Sequence, residues 1–232
     1  MKTVMKLLLE QKDVESNFKD DQGRAPLSHA GEEEDLTETI VRLLMEQKDI
    51  EADFKDDQDR TPLSYAAGEG DKAEKVVELL LRRNDVDVNF KDAKGRSPLS
   101  YAAEKGDESK AVVTLLLKRG DVDANSKDAK GRTPLSYAAS KGDTAETVMK
   151  SLLQQKDIEA DSKDIKNRTP LSYAAEWADK AEGVVRLLLE RNDVDAEHKD
   201  SGDQTPILYA FYSRFPSNKV TKLLRPGWRD IK

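Results

Sequence analysis

The 232 residues predict an all-α chain of stacked helix-turn-helix repeats. Three observations carry that reading. Pro26, Pro62, Pro98, Pro134, Pro170 and Pro206 stand 36 residues apart, so six of the eight prolines share one phase. Around them recur RAPLSHA, RTPLSYAA, RSPLSYAA, RTPLSYAA, RTPLSYAA and QTPILYA, and between them lie apolar runs such as Val76-Val77-Glu78-Leu79-Leu80-Leu81. Self-similarity at this period marks an array in which each repeat buries its face against the next.

Within a repeat, Thr or Ser before the proline is a helix N-cap, and proline at the first helical position forfeits no hydrogen bond. Ala25 breaks this rule in the first repeat, at an expected cost of about 1 kcal/mol. The first helix buries a narrow stripe, in the fourth repeat Leu135, Ala138, Ala139 and Gly142, whose small residues admit a close neighbour. The second helix is nearly continuous in hydrophobicity, as a helix sandwiched between repeats should be. Ser151 stands where other repeats place leucine and reads as a core substitution. A turn-rich segment such as Asp85-Val86-Asp87-Val88-Asn89-Phe90, closed by Lys91-Asp92-Ala93-Lys94-Gly95-Arg96, suits an extended finger. Asp20, Asp56, Asp92, Asp128, Asp164 and Asp200 recur in phase there and read as turn formers bonded to their own backbone.

The expected organisation is one domain over 1–232. A leading half repeat (1–18) precedes repeats 19–54, 55–90, 91–126, 127–162 and 163–198, and a truncated capping repeat (199–232) closes the array. Val4-Met5-Lys6-Leu7-Leu8-Leu9 aligns with the second helix, so the chain opens halfway through a repeat, as a fragment of a larger protein or a lone capping helix would. Arg225-Pro226-Gly227 should stop the last helix. Phe211, Tyr212, Phe215 and Trp228 fill positions that are small or polar elsewhere, as a terminal cap would.

These motifs resemble ankyrin-repeat arrays, whose signature is T-P-L-H-x-A near the start of a helix pair, and most of all the PLSYAA-type arrays of fungal multidomain proteins. The resemblance covers almost the whole chain and implies an ankyrin solenoid with β-turn fingers. Two departures stand out. Ser64, Ser100, Ser136 and Ser172 replace the usual histidine, and the period is 36 rather than the family's usual shorter one. The extra residues fall between the helices, as in Gly70-Asp71-Lys72-Ala73-Glu74-Lys75.

Composition narrows the function. A formal charge of -7 argues against a general nucleic-acid binder, because duplex phosphates need a basic surface. Residues 1–70 hold 9 Lys and Arg against 18 Asp and Glu, so the acidity lies in the N-terminal third. Without cysteine there is no disulfide, thiolate metal site or cysteine nucleophile. MKTVMKLLLEQKD is too short in its apolar run for export or membrane spanning, and a cytoplasmic or nuclear protein is expected.

Ser136-Tyr137-Ala138-Ala139-Ser140-Lys141 spells a Tyr-x-x-x-Lys pair of the kind short-chain dehydrogenases use for proton transfer. Phase argues against that chemistry. Tyr65, Tyr101, Tyr137, Tyr173 and Tyr209 all stand three residues after the repeat proline, while the partner column runs Glu69, Lys105, Lys141, Trp177, Ser213. Gly68-Glu69-Gly70-Asp71-Lys72-Ala73 fits a loose dinucleotide pattern but follows a helix rather than a strand. His29 and His198, the only histidines, are 169 residues apart, too far to share a metal or a proton. The expectation is no enzyme, no cofactor and no metal, with the tyrosines stacked as scaffold.

Specificity should reside where regular repeats differ. Seven residues after each proline the chain carries Glu33, Glu69, Lys105, Lys141, Trp177 and Ser213, and the finger tips change from Asp57-Gln58-Asp59 to Ala93-Lys94-Gly95, Ala129-Lys130-Gly131 and Ile165-Lys166-Asn167. The ankyrin resemblance implies that first helices and fingers line one concave surface. The expected partner-binding set is Trp177, Lys141, Lys105, Glu69, Glu33, Tyr137, Tyr173, Tyr212, Asp57, Asp59, Lys94, Lys130 and Lys166. The lysines would meet acidic groups and Trp177 an apolar pocket. The expected function is a monomeric, non-catalytic protein-interaction module, with a small-ligand enzyme or enzyme accessory protein, tyrosines lining its groove, as the alternative.

Overall fold

The computed structural model describes residues 17–29, 38–47, 49–213 and 218–225. The leading helix expected at Val4–Leu9, and Glu33, Phe215, Pro226, Gly227 and Trp228, lie outside them. The described residues hold helices and turns and no strand. Each repeat proline opens a helix: α1 (Pro26–His29), α3 (Pro62–Glu69), α5 (Pro98–Lys105), α7 (Pro134–Ala139), α9 (Pro170–Ala175) and α11 (Pro206–Phe211). The second helices are α2 (Glu38–Glu46), α4 (Glu74–Leu81), α6 (Lys110–Lys118), α8 (Glu146–Leu153), α10 (Glu182–Leu189) and α12 (Asn218–Leu223). The residues added by the long period form a single 3₁₀ turn between the helices, as at Gly70–Ala73 and Gly142–Ala145.

The chain divides into two compact bodies, residues 1–102 with 108–122, and 103–107 with 123–232. In the first, α1 packs on α3, and α2 and α6 pack on α4. In the second, α9 packs on α7 and α11, while α10 packs on α8 and α12. First helices thus meet first helices and second helices meet second helices. The second helices bury positions i, i+1 and i+4: Val76, Val77 and Leu80 on α4, and Val148, Met149 and Leu152 on α8. The leucine between them, Leu79, Leu115 or Leu187, is only half-buried. Ser151 occupies that rim column, so it is not the core substitution the hydrophobic run suggested. Its hydroxyl donates to the Thr147 carbonyl at 3.1 Å.

The caps follow the sequence closely. Thr61, Thr133 and Thr169 accept from the amides of Ser64, Ser136 and Ser172, and each threonine Oγ1 lies 3.2–3.3 Å from its serine Oγ. The serine that replaces histidine therefore keeps a shorter polar tie. In the first repeat Ala25 offers no hydroxyl, and Ser28 Oγ is buried with no partner among the described residues.

Polar ties also join consecutive repeats within each body. Asp71 Oδ1 accepts from the Ala111 and Val112 amides at 2.9 and 3.2 Å, and Asp107 from those of Thr147 and Val148 at 3.2 and 3.0 Å. An aspartate from one repeat thus caps the second helix of the next. Arg119 donates to the Leu81 carbonyl at 2.8 Å, closing the C-terminus of α4, and holds Asp121 with the same guanidinium. Gly106 is left-handed, φ 65°, and a Cβ on it would lie 2.6 Å from the Thr144 carbonyl oxygen, so this approach requires glycine.

Candidate functional site

The finger of each repeat ends in an aspartate that the following helix grips. Asp128 Oδ1 accepts from the amides of Lys130 and Arg132, each at 2.8 Å. Its Oδ2 takes the Arg132 guanidinium at 2.9 Å and the Tyr137 hydroxyl at 2.8 Å. The guanidinium also lies over the Tyr137 ring, 4.4 Å from its centroid. Asp56, Arg60 and Tyr65 repeat the arrangement with the hydroxyl at 2.6 Å, and Asp164, Arg168 and Tyr173 with it at 2.7 Å. Tyr101 and Tyr209 donate to Asp92 and Asp200. His29 replaces the phenol in the first repeat and brings Nε2 to 3.0 Å from Asp20 Oδ2.

The electrostatics run against proton-transfer chemistry. Burial, then the hydrogen bond to the aspartate, pushes the Tyr101 and Tyr209 phenols up to about 12. Burial also works against ionised Asp128 and Asp164, but the tyrosine hydroxyl, the arginine amide and the guanidinium outweigh it, holding both below the ordinary carboxylate range. Tyr137 is 2% exposed, with its hydroxyl committed to Asp128 and Arg132. Lys141 is half-buried at the start of the 3₁₀ turn. The sequence pair is therefore a clamp and a neighbour, and the clamp works by hydrogen bonding and an arginine lid rather than by the stacking of tyrosine on tyrosine that the column suggested.

The predicted binding residues divide between the two bodies. In the first, Asp57, Asp59 and Lys94 are exposed at finger tips and Glu69 is half-buried. In the second, Lys105, Lys130 and Lys166 are exposed and Lys141 half-buried, and none of these four lysines forms an ion pair among the described residues. Trp177 is 36% exposed, and its ring pairs with no other aromatic ring among the described residues. Tyr212 is 73% exposed and meets Phe211 edge-to-face with centroids 5.2 Å apart. Tyr137 and Tyr173, 2% and 6% exposed, need correction: burial and their aspartate bonds leave them almost no surface to offer a partner.

Ile165, named in the sequence among the varying finger tips but not among the expected binding residues, is 69% exposed in a column that otherwise holds Asp21, Asp57, Ala93, Ala129 and Ser201. Its amide donates to the Lys130 carbonyl at 2.9 Å, and the Ser201 amide to the Lys166 carbonyl at 2.9 Å, so backbone bonds join consecutive tips and fix the spacing of their side chains. Among the described residues no group of three or more His, Asp or Glu is placed to hold a metal ion. No helix among them is long and apolar enough to cross a membrane.

A family profile described as ankyrin repeats (3 copies) matches residues 1–92, 68–164 and 99–200. Among solved structures the chain is similar to EF0377, an ankyrin repeat protein, at 24% identity and TM-score 0.72, over 85% of this chain and 95% of that one. It is also similar to the ankyrin repeat domain of Bcl-3, described as a unique member of the IkappaB protein family, at 21% identity and TM-score 0.70, over 97% and 92% of the two chains. No curated protein matches it.

Proposed function

The chain belongs to the ankyrin-repeat family, and from that premise we propose that it is a non-catalytic protein-interaction module whose second body receives an acidic partner segment. The supporting observation is a charge balance at the finger tips. Asp128 and Asp164 are turned inward and neutralised by Arg132 and Arg168, whereas Lys130 and Lys166 point into solvent without ion-pair partners among the described residues. The tips therefore present positive charge although the finger sequence carries acid and base in near balance. Lys105 and Lys141 belong to the same body and add two further cations to it. Trp177 and Ile165 supply apolar surface that a partner side chain would cover.

The same accounting weighs against a small-ligand groove lined by tyrosines, because the phenol oxygens are spent on aspartates. The first body, with Asp57, Asp59 and Glu69, is the acidic counterpart and would repel the same partner. The proposed module is a monomer, so sedimentation should give one chain per particle. Affinity capture on the immobilised chain, compared with Trp177→Ala and Lys105→Glu/Lys141→Glu versions, tests the surface. Loss of the same bound protein from both variants supports it. Unchanged binding by both assigns the interaction to another face.

A further inference from the structure

One column at the base of the fingers runs Asn17, Asp53, Asn89, Asn125, Asp161 and Glu197. Where asparagine stands, its amide clasps the next repeat through two bonds. Asn125 Nδ2 donates to the Asp157 carbonyl at 2.7 Å, and its Oδ1 accepts from the Glu159 amide at 2.9 Å. Asn17 does the same with the Asp49 carbonyl and the Glu51 amide, and Asn89 Nδ2 donates to the Asp121 carbonyl at 2.6 Å. The donor half of each clasp reaches a carbonyl 32 residues on.

An ionised aspartate can copy only the accepting half. Asp53 Oδ2 accepts from the Asp87 amide at 2.7 Å, but its Oδ1 is buried with no partner among the described residues. Asp161 Oδ1 is orphaned in the same way. By register, the carbonyls that asparagine would satisfy here belong to Asp85 and Asp193. An acceptor in that place contributes nothing to the clasp, and a buried unpaired oxygen is costly.

We propose that Asp53 and Asp161 are proton-operated clasps: a proton from solvent on the orphan oxygen lets it donate to the Asp85 or Asp193 carbonyl, as the asparagine amides do, and loss of that proton loosens the bridge. The surroundings favour the protonated form. Burial raises both carboxyls above the ordinary range. Around Asp53 the Asp87 and Asp85 charges add to this and Lys55 opposes it, while around Asp161 Asp195 adds and His198 and Lys163 oppose. With two such neighbours opposing proton uptake at Asp161 and one at Asp53, Asp53 is the more responsive clasp.

A folded-state carboxyl that holds its proton more tightly than in the unfolded chain weakens folding once it is ionised. The penalty is absent below the unfolded carboxylate range and complete above the raised folded value. Urea unfolding of the full chain and of Asp53→Asn and Asp161→Asn, from pH 7 down to pH 4, reads it directly. At pH 7 each asparagine variant should show a folding equilibrium constant several-fold above the parent, and the gap should close towards pH 4. The reverse exchange, Asn125→Asp, should import the acid-favoured behaviour into a repeat that lacks it. Amide exchange at Asp87 and Asp195, corrected for its intrinsic pH dependence, should slow on acidification in the parent but not in the matching asparagine variants. A gap that does not change with pH, or an Asn125→Asp chain whose stability tracks the parent's at every pH, overturns the proposal.

Discussion

The Tyr137 hydroxyl donates to Asp128 Oδ2 at 2.8 Å, locking the first helix of its repeat to the finger that precedes it. Tyr137→Phe removes that donor and leaves a buried carboxylate with Arg132 and two amides. The expected cost is about 2 kcal/mol at pH 7, the usual range for a buried bond to a charged group. Because Asp128 is held below its ordinary range, its contribution is complete above the unfolded carboxylate range and is lost as pH falls through the folded value. The difference between parent and variant should therefore shrink in acid. Urea midpoints at pH 7 and pH 3 check both the size and the sign.

Ala25 is the weak cap of the array. Ala25→Thr gives the orphaned Ser28 Oγ a partner and adds a side-chain acceptor beside the Ala25 carbonyl, which the Ser28 amide already uses at 2.9 Å. A gain of about 1 kcal/mol is expected, localised to the first described repeat. Native-state amide exchange on α1 should slow accordingly, while α9 should not respond.

Gly106 and Ala178 occupy the same repeat position and both are left-handed, at φ 65° and 48°. Gly106→Ala meets both the backbone penalty and the Thr144 carbonyl, and should cost about 3 kcal/mol, of which ~1 is conformational. Ala178→Gly relieves about 1 kcal/mol of strain but removes a fully buried methyl worth ~0.8 kcal/mol, so it should be nearly neutral. Thermal unfolding of the two variants distinguishes close backbone approach from glycine preference alone.

Ser151→Leu should gain less than about 1 kcal/mol, because its column is a half-buried rim, and a fully buried leucine would be needed for more. A rise of several degrees in Tm would place the residue in the core instead.

Much of this was legible because repetition substitutes for an alignment. The prolines, caps, buried alanines and finger aspartates recur at one spacing, and local rules then assign each its role. The Tyr137–Asp128 clamp was legible only in part: both columns were visible, but a separation of nine residues gave no cue that a phenol reaches back to the finger. The inter-repeat ties were invisible for a related reason. Asp71 to Ala111 spans 40 residues, and nothing in one repeat says that its carboxylate serves the next. The exposure of Ile165 and the burial of Tyr173 likewise depend on how neighbours stack, which periodicity alone does not set.

Asp107 carries the last prediction, because its two bonds to α8 cross from one repeat to the next. In a repeat array, stability is the sum of repeat terms and nearest-neighbour terms. Asp107→Ala removes a neighbour term and leaves the buried apolar side chains of its own repeat, Leu99, Ala102, Val112, Val113 and Leu116 among them, unchanged. The expected loss is about 1 kcal/mol, as for an ordinary N-cap, with Asp107→Asn recovering most of it. Since the lost energy is coupling, the unfolding transition should also broaden, giving a smaller urea m-value in the alanine variant than in the parent. A loss of the same size with an unchanged m-value would place the Asp107 contribution inside its own repeat.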